Sequence, residues 1–217
     1  MNNLPEIPAS LLDVITRFMD TRYIPEQHRD SVLMKPVRMF KDIGIKNGVL
    51  MLSGFYENGE FYVYDTGFRL QGEAPHLLIK AIHGFDQREM LIRFALTGSE
   101  GDLDLAKADD TYLRGKWAAT VWFLLKKGKV NKIEGLNDLD KDPRVVANVQ
   151  RIYEGQEVPN EWIGNEKQVL TRLYLVCDSK EELRETIKEY QNKVKVFDDK
   201  GNEMLLKGFD VNQALEF

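Results

Sequence analysis

Asp65, Arg69, Gln71 and Glu73 are the side chains of this 217-residue chain best suited, by type and spacing, to do chemistry. They lie in the run Asp65-Thr66-Gly67-Phe68-Arg69-Leu70-Gln71-Gly72-Glu73. If the backbone stays extended, the period-2 alternation of a strand puts 65, 67, 69, 71 and 73 on one side. Arg69, Gln71 and Glu73 can then handle a carboxylate or phosphate together, and Gly72 between them permits close backbone approach. The alternative for Arg69 and Glu73 is a salt bridge that closes the strand end. The element that must position this set is a hairpin. Asn58-Gly59 supplies the two positive-φ residues of a tight type I′ turn. The flanking runs, Val49–Phe55 and Phe61–Tyr64, are rich in β-branched and aromatic residues, as paired strands are.

The same residues resemble a family. The segment from Gly48 to Gly98 is similar to the C-terminal part of an ATP-grasp domain, most closely in the biotin-carboxylase and carbamoyl-phosphate-synthase-like branch. There a strand ends in Glu-x-Asn-x-Arg, and in biotin carboxylases the motif continues as Arg-x-Gln-x-Glu. Arg69-Leu70-Gln71-Gly72-Glu73 has that form. His83-Gly84-Phe85-Asp86 and Ala95-Leu96-Thr97-Gly98 resemble the steps that close the family's next two helices. More weakly, Lys129–Leu136 and Ile152–Val158 look like the β-rich C-terminal subdomain of those ligases. The resemblance implies an α+β fold: the C-terminal part of an ATP-grasp domain (antiparallel hairpin plus helices), residues 1–98, packed on a biotin-carboxylase-C-like subdomain, residues 99–217. It also implies roles. Arg69 stabilises charge on a phosphorylated intermediate, Gln71 orients substrate, Glu73 is a base, and Asp65 contacts ATP-bound magnesium.

The departures from the pattern carry equal weight. The family's Glu-x-Asn is Asp65-Thr66-Gly67 here, and hairpin register puts Ser53 where an upstream metal-binding Glu is expected. Magnesium takes near-octahedral oxygen ligation, with one or two carboxylates beside phosphate oxygens and water. Asp65 alone supplies one ligand, which does not make a two-metal site. The chain also has neither a G-x-x-x-x-G-K-[ST] nor a G-x-G-x-x-G phosphate loop. The expectation is therefore a ligase half that uses ATP and magnesium only with its missing N-terminal half, and that binds neither tightly alone. Its substrate is a small-molecule carboxylate. A second reading stays open: a non-catalytic ATP-grasp remnant that binds a partner or self-associates, for instance as a homodimer.

Composition narrows the remaining classes. The net charge of −5 and the pI near 5.4 disfavour a nucleic-acid binder, which needs a basic face. Hydrophobic residues make up 43% and charged residues 30%, the balance of a globular chain. No apolar run approaches the roughly 18 residues of a spanning helix, and no signal peptide is visible, so a cytoplasmic location is expected. A single cysteine, Cys177, excludes an internal disulfide and reads as a small core residue. Three scattered histidines cannot assemble a zinc site. His76, three residues from Glu73, reads either as structural or as an acid–base group.

Helical spacing predicts helices over Ser10–Met19, Glu26–Ile43 with an interruption at Pro36, Pro75–Ile82 and Gln87–Leu96. Trp117–Leu125 is apolar on both faces, so it predicts a central strand with a hairpin into Val130–Ile133. Pro143 is placed to open a short helix. Thr171–Cys177, Lys180–Gln191 and Val194–Phe197 read as strand, helix and strand. The helix is capped by Ser179 and the last strand turns at Asp198–Gly201.

Overall fold

The computed structural model describes residues 35–36, 38–45, 48–57, 60–99, 101–102, 108, 113–208 and 210–214. The expected Ser10–Met19 helix lies outside them. The chain divides into two compact units at Arg114/Gly115. That junction is a left-handed turn, with positive φ at Leu113, Arg114 and Gly115 in succession.

In the first unit, residues 38–42 are helical. The segment closes with the paired bonds of a Schellman motif, from the Gly44 N–H to the Lys41 carbonyl and from Ile45 to Phe40. The expected hairpin follows: β1 (Met51–Glu57) and β2 (Glu60–Gly67) pair antiparallel, with Glu57 opposite Glu60. That register leaves the two-residue loop expected for Asn58-Gly59, which itself lies outside the described residues. Leu50 and Leu52 bury against Phe40. Then come α1 (His76–His83) and α2 (Gln87–Thr97), each within a residue or so of its expected bounds. Ile79 and Phe85 bury between them with Met90 against them.

The second unit holds β3 (Trp117–Leu124), β4 (Gly128–Lys129), β5 (Lys132–Glu134), β6 (Val145–Gln150), β7 (Glu157–Val158), β8 (Val169–Cys177), α3 (Lys180–Lys193), β9 (Lys195–Phe197) and the short α4 (Val211–Ala214). Its main sheet has the order β3-β8-β6, while β4 pairs with β7 and β5 with β9. Every pairing is antiparallel. Two expectations are corrected here. β3 is an edge strand and β8 is the central one, and β3 does not form a hairpin with Val130–Ile133, whose residues pair instead with distant strands. Pro143 opens no helix either; it follows a 3-10 turn at Leu139–Lys141 and leads into β6.

The core of this unit forms because α3 presents Leu183, Thr186, Ile187 and Tyr190 on one face, at the i, i+3, i+4, i+7 spacing of a packed helix. These residues bury with Leu173, Leu175 and Cys177 of β8 and Val121 and Phe123 of β3. Ser179 caps α3 by accepting from the Glu182 N–H at 3.1 Å, and the Glu182 carboxylate accepts from the Asp178 N–H at 2.7 Å. Asp198 ties its turn in the same way, accepting from the N–H groups of Lys200 and Asn202.

Candidate functional site

The hairpin delivers the candidate residues to the end of β2, but not by unbroken alternation. β2 stops at Gly67, and Phe68 and Arg69 form a bend. A β-turn then runs from Gln71 to Ala74, closed by the Ala74 N–H on the Gln71 carbonyl at 3.2 Å, with Ala74 held at a φ of 59°. The extended arrangement of five alternate positions is therefore corrected: only Asp65 and Gly67 share a strand face. The turn, not the pleat, joins Gln71 to Glu73, whose carboxylate accepts from the Gln71 Nε2 at 2.8 Å. Arg69 is exposed and its Nη1 donates to the Leu70 carbonyl at 3.1 Å. It forms no ion pair among the described residues, so the strand-closing salt bridge with Glu73 is not what holds it.

Asp65 is exposed on β2, directly opposite Ser53. Gly67 faces Met51, and a Cβ there would meet the Met51 methyl at 3.2 Å and the Arg69 Cγ at 3.5 Å. The position where a second ligand side chain is expected is thus filled by a methionine and an arginine stem. Among the described residues no three His, Cys, Asp or Glu side chains come together to hold a metal. On β2, Asp65 offers a single exposed carboxylate opposite Ser53. Gly72 opens onto empty space, which leaves the turn approachable from outside.

A second cluster of charged groups lies where α1 leads into α2. Asp86, nearly buried at 7% side-chain exposure, caps α2 by accepting from the Arg88 N–H at 2.9 Å. It also accepts from the Arg88 Nε and Nη2 at 3.3 and 3.1 Å and from the Lys80 Nζ at 3.4 Å. The bonds from Arg88 hold its carboxyl well below the usual carboxylate range, more than offsetting burial. Because the folded-state value is depressed, the clamp contributes fully above the unfolded carboxyl value of about 3.9 and is lost as pH falls below it. Asp86→Asn is accordingly expected to be less stable than the parent at pH 7, with the gap closing between pH 5 and pH 2. Urea midpoints across that range check this; a gap independent of pH would contradict it.

His76 is buried, and burial with the Arg88 charge lowers its pKa. Cys177 is buried on β8, and burial pushes its thiol up, as the core reading requires. Of the lysines between 116 and 132, Lys116 pairs with Asp178, Lys126 donates to the Glu203 carbonyl and Lys132 pairs with Glu134.

Two solved structures share this architecture. An L-amino acid ligase from Bacillus licheniformis superposes with a TM-score of 0.62 at 17% identity, covering 81% of this chain and 44% of its own. A phosphoribosylglycinamide synthetase from Anaerococcus prevotii does so with a TM-score of 0.60 at 12% identity, covering 81% and 43%. The fold is ATP-grasp-like. It is the α+β arrangement of hairpin, helices and β-rich unit expected from the Arg-x-Gln-x-Glu motif. This chain spans less than half the length of either ligase. No protein-family model and no curated protein matches the sequence. Among the described residues no helix is long and apolar enough to cross a membrane.

Proposed function

We propose that this chain is the C-terminal portion of an ATP-dependent ligase that joins a carboxylate to an amine, or forms a carbamate, in the biotin-carboxylase and carbamoyl-phosphate-synthase-like branch. The observation that supports it is the exposed Arg69 with the Gln71–Glu73 pair at the end of β2, on a fold shared with two ligases. On this reading Arg69 meets the negative charge of the carboxylate substrate or its phosphorylated form, Gln71 orients it and Glu73 is the base. The partner is a polypeptide carrying the phosphate-gripping half, in the cytoplasm. Magnesium is a different matter. Asp65, Ser53 and Gly67 do not make a two-metal site, since only Asp65 of the three carries a carboxylate.

A partner-binding remnant is the second reading. It is favoured by the exposure of Tyr62, Val63, Tyr64 and Phe68 along and just beyond β2, an apolar stretch unusual on a solvent face.

Two titrations of the 217-residue chain separate these readings. Calorimetry with ATP and magnesium is expected to show no binding at micromolar concentrations, since no phosphate loop precedes the hairpin; micromolar affinity would overturn the division of labour. Acetyl phosphate, an acyl phosphate probe, is expected to move the NMR signals of the Arg69 Nε–H and the Gln71 amide. Silence at both would favour the remnant.

A further inference from the structure

Gly67 stands where a second metal-binding side chain is expected, and the space beside it is filled by an arginine. Met51, buried on β1, pairs directly opposite Gly67. A Cβ at Gly67 would meet the Met51 methyl at 3.2 Å, the Arg69 Cγ at 3.5 Å and the Arg69 Nε at 3.6 Å. The arginine stem thus folds back over the bare glycine. Its far end is held as well, because Nη1 donates to the Leu70 carbonyl at 3.1 Å. The residue before it is seated in the same way. A Cβ at Gly48 would sit 2.2 Å from the Phe68 Cζ and 2.4 Å from its Cε2, so the ring rests on backbone that only a glycine leaves open. Both residues of the bend, Phe68 and Arg69, are set by glycines.

A guanidinium keeps its positive charge at any working pH, and its planar fork of donors fits a carboxylate or a phosphate. Holding that fork in place before binding removes part of the ordering cost that a free surface side chain incurs. Magnesium needs a different environment, with several oxygen donors converging on one point. Gly67 contributes no such donor, and the group lying over it is a cation, which repels a divalent ion.

We propose that Gly67 is a positioning residue for Arg69, and that the end of β2 takes a carboxylate or acyl phosphate directly on the guanidinium, with no divalent ion between them. The proposal rests on the ligase reading of the Arg69 turn and deepens it. The departure at Gly67 then exchanges a metal ligand for a seat under a fixed cation.

The test is NMR of the full 217-residue chain, with the Arg69 Nε–H signal assigned by its loss in Arg69→Ala. Without ligand, the heteronuclear NOE of the Arg69 Nε is expected to match that of the β2 backbone, since it reports motion faster than nanoseconds. Acetyl phosphate is then titrated once with EDTA and once with excess magnesium, at constant ionic strength. The Arg69 signal is expected to move in EDTA, and magnesium is expected not to lower the midpoint. Gly67→Val suits a strand and fills the space under the stem. It is expected to lower the Arg69 NOE and to raise the midpoint in EDTA about tenfold, as loss of one hydrogen bond to a charged group does. Gly67→Ala adds only the Cβ, should move both readouts the same way by less, and replaces the valine variant if that fails to fold. A mobile Arg69 Nε in the parent chain, or an unchanged midpoint in a folded variant, overturns the positioning role. A response that needs magnesium overturns direct binding and leaves the ligase reading standing. Silence in both buffers removes the ligase reading of this turn, and direct binding with it.

Discussion

Arg69→Ala is expected to lower turnover about a hundredfold or more, in a protein in which this chain works with its phosphate-gripping half, and to leave melting temperature unchanged. Removing one preorganised donor from developing negative charge costs about 2.7–4 kcal/mol of transition-state stabilisation. The structural half of the expectation follows from what Arg69 touches. Its guanidinium donates to the carbonyl of its own neighbour, Leu70, and is otherwise exposed. A surface side chain with one local bond changes stability by only about 0.5 kcal/mol when removed. Activity and stability should therefore separate. ADP release under saturating carboxylate and amine, set beside thermal melts, measures both. Arg69→Lys keeps the charge but not the planar fork, and should recover only part of the loss. A fully active Arg69→Ala protein would remove Arg69 from the site, and one that unfolds would make it structural.

What could be read from the sequence, and what could not, follows the distance over which each feature is decided. The β1–β2 hairpin was legible because Asn58-Gly59 and the flanking apolar runs are local, and Ser53 fell opposite Asp65 as register required. α3 was legible from Ser179 and a four-residue apolar spacing. The Arg-x-Gln-x-Glu motif pointed to the fold that the two ligases share. The alternation through Glu73 failed because strand geometry ends where pairing ends, and β1 gives β2 no partner beyond Gly67. The rank of β3 in its sheet was illegible for a related reason. Its apolar run implied cover on both faces, yet part of that cover is a cation: the guanidinium of Arg172 on β8 lies 4.2 Å from the Trp122 ring centroid, with Glu166 at 3.0 Å. Hydrophobic pattern cannot distinguish an aromatic ring packed on an arginine from one packed in oil. The burial of His76 and Gln87, polar side chains that open α1 and α2, left no trace in the sequence, since burial is a tertiary property.

Gly135→Ala should be the most damaging single methyl addition tested in the second unit. Gly135 follows β5 with a φ of 76°, and a Cβ there would sit 2.4 Å from the backbone oxygen of Lys193 and 3.0 Å from its carbonyl carbon. Left-handed backbone costs a non-glycine residue about 1–2 kcal/mol. The clash adds about 1–3 kcal/mol, as overpacking does, because backbone cannot swing aside as a flexible side chain would. Lys193 ends α3, and two residues on Lys195 pairs with Glu134 of β5. Relief therefore means separating β5 from β9, or lifting the end of α3 off a core that includes Tyr190, Val194 and Leu136. A loss of about 2–5 kcal/mol is a large share of the roughly 5–15 kcal/mol that holds a typical domain. Trp117, Trp122 and Trp162 all lie in this unit, so tryptophan fluorescence during urea unfolding reports on it directly. Gly155→Ala is the control: its φ is 87°, but a Cβ there meets nothing within 4 Å. It should show the backbone cost alone, about 1–2 kcal/mol. If Gly135→Ala is no worse than Gly155→Ala, the close approach of Gly135 to Lys193 is not what fixes β5 against the end of α3.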